Sequence, residues 1–222
     1  MIIKWLGHSC FFLEGSKKIL IDPFMPYGDF NCVSDIVALT HAHDDHLGDT
    51  ISLKKTTVCP NELAKLLREK GLKTEPMNIG GSIEIDSVKF TMVYASHSSE
   101  FSDGDKKLYG GPASGFIINM DDVCVYHAGD TGLFSDMRLI HDMYHPDVAM
   151  LPIGSRYTMG PSEAMMAAEF VGAPLVIPMH YNTFPAIEQN GEAFGSAIEK
   201  VTDMKVAVLK PGDSLNTDDY LK

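Results

Sequence analysis

Short apolar runs, broken every few positions by glycine or a polar pair, fill the first third of the chain. Residues 2–6, 11–13 and 19–21 are rich in β-formers and are separated by Gly7-His8 and Gly15-Ser16. That pattern predicts three strands, the third closed by Asp22-Pro23. Residues 36–39 are apolar throughout, as expected of a strand buried on both faces, and Thr40 and His41 follow at once. Residues 56–59 predict another strand. Asn61 then opens a helix through Lys70, with Leu63, Leu66 and Leu67 on one face and Gly71 at its end.

The middle is again strand-like, over 82–85, 88–95, 115–119 and 123–126, with Asp86-Ser87 and Asp121-Asp122 as hairpin turns. Residues 98–112 are polar, glycine-rich and too long for a hairpin turn, so they read as a surface loop. The last third alternates: helices over 136–143, 162–171 and 191–201, strands over 148–152, 176–179 and 206–209. Pro161-Ser162 opens the second of these helices, with Glu163 favourable in its first turn. The pattern supports mixed α and β. No internal repeat or low-complexity linker divides residues 1–222, which are read as a single domain.

Composition changes the picture modestly. The 222 residues are 45% hydrophobic and 22% charged, ordinary for a globular protein. The net charge of −12 repels phosphate backbones, which argues against a large nucleic-acid footprint but not against a small anionic substrate at a cationic metal centre. Cys10, Cys32, Cys59 and Cys124 form no Cys-x-x-Cys pair, so a thiolate zinc ribbon is excluded and free thiols in a reducing compartment are expected. No charged leader and no apolar run of about 20 residues is visible, so the expectation is a cytoplasmic protein without a membrane partner. The expected partner is a small-molecule substrate; self-association stays open.

The chemistry concentrates in Thr40-His41-Ala42-His43-Asp44-Asp45-His46. Imidazole and carboxylate are ligands that zinc, iron and manganese accept. On an extended stretch His41 and His43 point to the same side and can share one metal, while Asp45 and His46 follow where the chain must turn and can serve a second. Further ligands are sought just after strands, where His97, Asp130 and His180 stand.

Taken together, His-x-His-x-Asp-His, a separate His97, Gly129-Asp130-Thr131 and a late His180 resemble the metallo-β-lactamase superfamily, in order from Gly7 to Pro211. Gly7-His8-Ser9, Ile21-Asp22-Pro23 and Thr158-Met159-Gly160-Pro161 look like a narrower branch of metal-dependent hydrolases related to L-ascorbate-6-phosphate lactonase. The resemblance implies a four-layer αββα sandwich. It assigns His41, His43 and His97 to one metal, Asp45, His46 and His180 to another, and Asp130 to both. It implies two divalent cations per chain, zinc first, with Mn²⁺, Fe²⁺ or Ni²⁺ as alternatives. Two cations about 3.5–4 Å apart generate hydroxide from a shared water at neutral pH, for attack on a small ester, lactone or phosphoester. Asp45 is expected both to bind metal and to orient that nucleophile.

Of the remaining candidates, His8 is expected near the pocket as proton donor or substrate contact, against a core histidine bonded to backbone. His127 should point away from Asp130 by strand alternation. His141 and His145 read as surface residues. Asn182 is an oxyanion donor or a turn residue, and Arg156 binds a substrate carboxylate or phosphate or pairs on the surface. The competing functions are a nucleic-acid phosphodiesterase or nuclease, which the charge opposes, and a non-catalytic metal-binding or ligand-sensing module, which the full ligand set opposes.

Overall fold

Alternating side chains build two sheets into one core. The computed structural model describes residues 1–28 and 33–221; Cys32 lies outside them. In the first sheet β1 (Ile2–Gly7), β2 (Cys10–Glu14), β3 (Lys18–Ile21), β4 (Ile36–Ala38), β5 (Thr56–Pro60) and β6 (Thr74–Met77) lie side by side in chain order. In the second, the edge strand β7 (Ser82–Ile85) pairs with β8 (Val88–Tyr94), which pairs with β11 (Ser114–Met120), followed by β12 (Val123–His127), β13 (Val148–Pro152), β14 (Leu175–Met179) and β15 (Lys205–Val206). The chain then returns to the first sheet, where β16 (Ser214–Asn216) pairs antiparallel with β1, making each sheet seven-stranded.

The period of two is visible in what each residue touches. Ile3, Trp5, Phe11, Leu13, Ile19, Ile21, Ile36 and Ala38 join a buried cluster with Phe90, Met92, Phe116 and Ile118 of the second sheet. The intervening Leu6, Cys10, Phe12, Leu20, Val37 and Leu39 pack instead with Leu63, Ala64 and Leu67 of the helix α3 (Asn61–Glu69). Two single-turn helices, α1 (Asp44–Leu47) and α2 (Thr50–Leu53), precede it. On the far side, α4 (Met137–Tyr144), α5 (Pro161–Val171) and α6 (Gly191–Val201) cover the second sheet through Ile140, Ala164, Ala168, Val171, Phe194 and Ile198. The layers therefore run α, β, β, α, as the resemblance implies. No helix among the described residues is long and apolar enough to cross a membrane.

Both expected hairpin turns form, with positive φ at both central residues: Asp86 (50°) and Ser87 (69°), Asp121 (53°) and Asp122 (60°). This is the turn whose twist suits flanking strands. Two expectations are corrected, and one strand is added that the pattern did not announce. Residues 98–112 are not a plain loop: β9 (Glu100–Asp103) and β10 (Lys106–Tyr109) make a hairpin there, its tight turn supplied by Gly104 at φ 60°. The strand expected over 206–209 is only the two residues of β15, because the chain leaves that sheet and Gly212 donates to the Trp5 carbonyl of the other (2.7 Å). Strand β6 was masked by Pro76, which an edge strand tolerates.

Candidate metal centre

Strands β1 and β3 both run antiparallel to β2, and β3 is parallel to β4. Likewise β8 and β12 both oppose β11, and β12, β13 and β14 are parallel. The carboxyl ends of β1, β3, β4, β8, β12 and β14 therefore come out on one edge of each sheet, and His8, Asp22, His41, His97, Asp130 and His180 follow those ends. Three of them sit in left-handed backbone: His8 (φ 53°), Asp22 (45°) and His180 (54°). Such conformations cost about 1–3 kcal/mol in non-glycine residues and gather where side chains are aimed for function.

Donor atoms converge in three overlapping groups, each within 4.8 Å: His41, His43 and His97; His8, Asp45, His46 and His180; and His41, His46 and Asp130. In the first group His41 Nε2 lies 3.0 Å from His43 Nδ1, as two side chains on one side of an extended stretch should. Asp130 stands between the groups, its carboxylate 3.2 Å from His46 Nε2, 3.0 Å from His180 Nε2 and 3.6 Å from His97 Nε2. The structure thus gathers all seven residues of the expected ligand set, and adds His8 to the second group.

The donor chemistry fits a cation. His46 Nε2, Asp130 Oδ1 and both ring nitrogens of His180 are buried with no aligned hydrogen-bond partner. Buried polar atoms seldom stay unpaired, and His46 Nε2 and His180 Nε2 converge on the Asp130 carboxylate, at 3.2 and 3.0 Å, a donor set a cation accepts.

What aims the imidazoles is a residue the sequence reading passed over. Asp22 Oδ2 accepts from His46 Nδ1 and from the Thr40 hydroxyl, both at 2.7 Å, and its Oδ1 accepts from the Thr40 amide at 2.8 Å. The Thr40 oxygen in turn lies 3.0 Å from His41 Nδ1. One buried carboxylate thereby orients a histidine in each group and turns both Nε2 atoms to the centre, a role metal sites assign to partners of the ligands. The available signal was an aspartate at the end of β3 within the Ile21-Asp22-Pro23 signature, which spacing alone marks as a strand stop rather than as a partner of the ligands.

Burial is the largest influence on every titrating group here. It pushes the imidazoles of His41, His43 and His97 down, and that of His8 to about 4. Burial also works against charge on His46, but Asp130 and Asp22 outweigh it and hold that imidazole well above its ordinary range. For Asp130 burial is outweighed by His180 and His46, and for Asp45 by the His8 hydrogen bond and His46, so both carboxyls are held below theirs. A neutral His8 fits its contacts: Nε2 sits 3.2 Å from Asp45 Oδ2 and Nδ1 lies 3.0 Å from the Thr183 hydroxyl.

The other candidates fall outside the cluster. His127 is buried, with Nε2 donating to the Ser9 carbonyl (2.9 Å) and Nδ1 accepting from the Gly129 amide (3.2 Å). His141 and His145 are exposed. Asp44 is exposed and accepts from Ser102 (3.0 Å). Asn182 is a turn residue at φ 59°, its side-chain oxygen taken by the Gln189 amide (2.8 Å). Arg156 is exposed, with its guanidinium 5.6 Å from the Tyr157 ring centre and no ion pair among the described residues.

Comparison with known proteins agrees with this geometry. A family profile described as "Beta-lactamase superfamily domain" matches residues 2–180. The chain is 59% identical to a UPF0173 metal-dependent hydrolase of Methanoculleus marisnigri, covering 97% of this chain and 96% of that protein. It is 57% identical to another from Methanospirillum hungatei, covering 96% and 97%. Among solved structures it is similar to Igni18, a metallo hydrolase of Ignicoccus hospitalis, with a TM-score of 0.88, 35% identity and coverage of 96% and 97%. None of these names gives a substrate.

Proposed function

Because this chain belongs to the metallo-β-lactamase superfamily and is a metal-dependent hydrolase by that kinship, we propose that it hydrolyses a small ester, lactone or phosphoester at a two-metal centre. The observation that carries the reading is the convergence of unpaired buried donor atoms from His46, Asp130 and His180 beside the His41, His43 and His97 triad. His41, His43 and His97 hold one cation; Asp45, His46 and His180 hold the other; Asp130 serves both. Divalent cations at such a site acidify water and polarise a substrate oxygen. Their nitrogen-rich donor set favours zinc, with Mn²⁺, Fe²⁺ and Ni²⁺ as competitors whose occupancy depends on supply.

The protein's own groups organise the rest. Asp22 and Thr40 keep the imidazoles of His46 and His41 turned inward. The neutral His8 donates to Asp45 Oδ2, leaving that carboxylate's other lone pairs to accept a hydrogen from water and so fix its approach. The side chain of Asp45 is 35% exposed, against 3% for Asp130, so the route from solvent passes Asp45. Cys59 and Cys124 carry free thiols that burial pushes up to about 12 and about 11, so they are poor nucleophiles and take no part in the chemistry. The test is metal analysis of the purified chain, then a screen of lactones, esters, thioesters and phosphodiesters. Turnover that tracks metal content is expected, and full metal occupancy without turnover of any class would refute the reading.

A further inference from the structure

Resting on that reading for its kinetic consequence, we infer that Thr183 is a positioning residue: its hydroxyl pins the His8 ring, and the ring in turn pins Asp45. Asp45 stands in the first turn of α1, and its side chain is 35% exposed. A carboxylate so placed rotates unless something holds it. Among the described residues the hydrogen bond that holds it comes from His8, with Nε2 3.2 Å from Oδ2. The directions follow from the donor inventory. An ionised carboxylate can only accept, so Nε2 carries the hydrogen of the neutral ring. Nδ1 is then bare, and the Thr183 hydroxyl, 3.0 Å away, donates to it. The chain runs from Thr183 through His8 to Asp45. Each bond polarises the next, so the hydroxyl strengthens the hold on the carboxylate as well as fixing the ring.

The surroundings are built to deliver both partners. The His8 carbonyl accepts from Trp5 Nε1 (3.0 Å) and from the His180 amide (2.9 Å), which clamps its left-handed backbone. Its ring is buried, 4.0 Å from that of His180 between centres. What remains to be fixed is which way round the ring faces. Turning it over would set carbon against both Asp45 and Thr183, and both hydrogen bonds would be lost together. Thr183 comes from the turn that follows His180. There Asn182 has φ 59°, its amide donates to the Ile187 carbonyl (3.0 Å), its Oδ1 accepts from the Gln189 amide (2.8 Å), and its carbonyl accepts from the Tyr27 hydroxyl (3.1 Å). Asn182 is thus occupied in shaping the turn whose next residue meets His8. One short segment supplies both His180 and the hydroxyl that orients the partner of Asp45.

The test uses the zinc-loaded full chain, proton–nitrogen NMR of the histidine rings, and turnover of para-nitrophenyl acetate and bis(para-nitrophenyl) phosphate. Signals that His8→Gln removes assign the ring. His8 should carry a hydrogen on Nε2 and none on Nδ1, and that hydrogen should exchange slowly with solvent. Thr183→Val, which keeps the shape at a half-buried position, should speed the exchange about three- to tenfold, the worth of one hydrogen bond. It should lower kcat by a similar factor while KM and metal content stay within twofold. Thr183→Ser, which keeps the hydroxyl, should restore both exchange and kcat. A zinc-bound Nε2 or a hydrogen on Nδ1 overturns the inference. So does a Thr183→Val protein with wild-type exchange, or with wild-type kcat on a probe that is turned over, and so does a Thr183→Ser protein that behaves like the valine variant. Each of these leaves the hydrolase reading standing. Full zinc occupancy with neither probe turned over counts against the hydrolase reading alone, and the NMR arm, which needs no substrate, still decides the role of Thr183.

Discussion

Replacing Asp22 by Asn is the most informative single change, because it leaves every proposed ligand in place. Asp22 is fully buried and accepts three hydrogen bonds, two at Oδ2 from His46 and Thr40 and one at Oδ1 from the Thr40 amide. An asparagine keeps the shape but offers one acceptor oxygen and one NH₂. Whichever way the amide is turned, a donor faces a donor. Leaving a buried donor unpaired costs about 1–3 kcal/mol, or roughly 2–12 °C in Tm for a chain of this size. His46 also loses the anchor on Nδ1, and His41 loses its support through Thr40, so both groups of donors are loosened at once. Removing such an outer partner typically lowers metal affinity about 10–100-fold. Competition with a chromophoric chelator measures that affinity, and thermal melts with and without zinc measure the stability. Thr40→Val should weaken the same metals, and the double variant should fall short of the sum, because the two residues share one network. Unchanged chelator competition in Asp22→Asn, with stability alone reduced, would show that the carboxylate only fills the core and would refute the argument.

Asp45→Asn should fold and bind metal but slow turnover by about 10²–10⁴, measured as kcat under saturating metal; wild-type rates would remove Asp45 from the chemistry. His97→Ala should deplete metal at the His41 and His43 pair while leaving the circular dichroism spectrum unchanged, and elemental analysis reads the loss. For the metal-free protein, burial lowers the pKa of His8, His41, His43 and His97 in the folded state, so the unfolded chain binds more protons between the unfolded value of about 6.5 and the folded values, about 4 for His8. Their contribution is present above about 6.5 and is lost as pH falls, while that of His46, whose pKa is raised, has the opposite sign. Thermal melts should therefore show Tm falling from pH 7 to pH 5, and a Tm that rises over that range would contradict the assignment.

The gathering of these residues was legible because His41, His97, Asp130 and His180 each follow a strand end, with His43, Asp45 and His46 in the same run after β4, and strands ending on one edge put their following residues together. Strand alternation also separated His127 from the cluster without any structure. What the sequence concealed had specific causes. Asp22 looks like a strand stop beside Pro23, and only the parallel pairing of β3 with β4 brings it to His46. The hairpin of β9 and β10 hid in a polar stretch whose Asp103-Gly104 turn signal was outweighed by length and charge. Asn182 and Arg156 had chemistry suited to a substrate, but one is occupied by a turn and the other is exposed beside Tyr157.

The central claim is that the buried donors form two adjoining cation sites sharing Asp130. Anomalous scattering at the zinc edge from crystals of zinc-replete protein, paired with elemental analysis of the same sample, tests it directly. The account predicts two metals per chain, one held by His41, His43 and His97, the other by Asp45, His46 and His180, with Asp130 on both. A single metal at full occupancy, with His46 and His180 left unliganded, would contradict it.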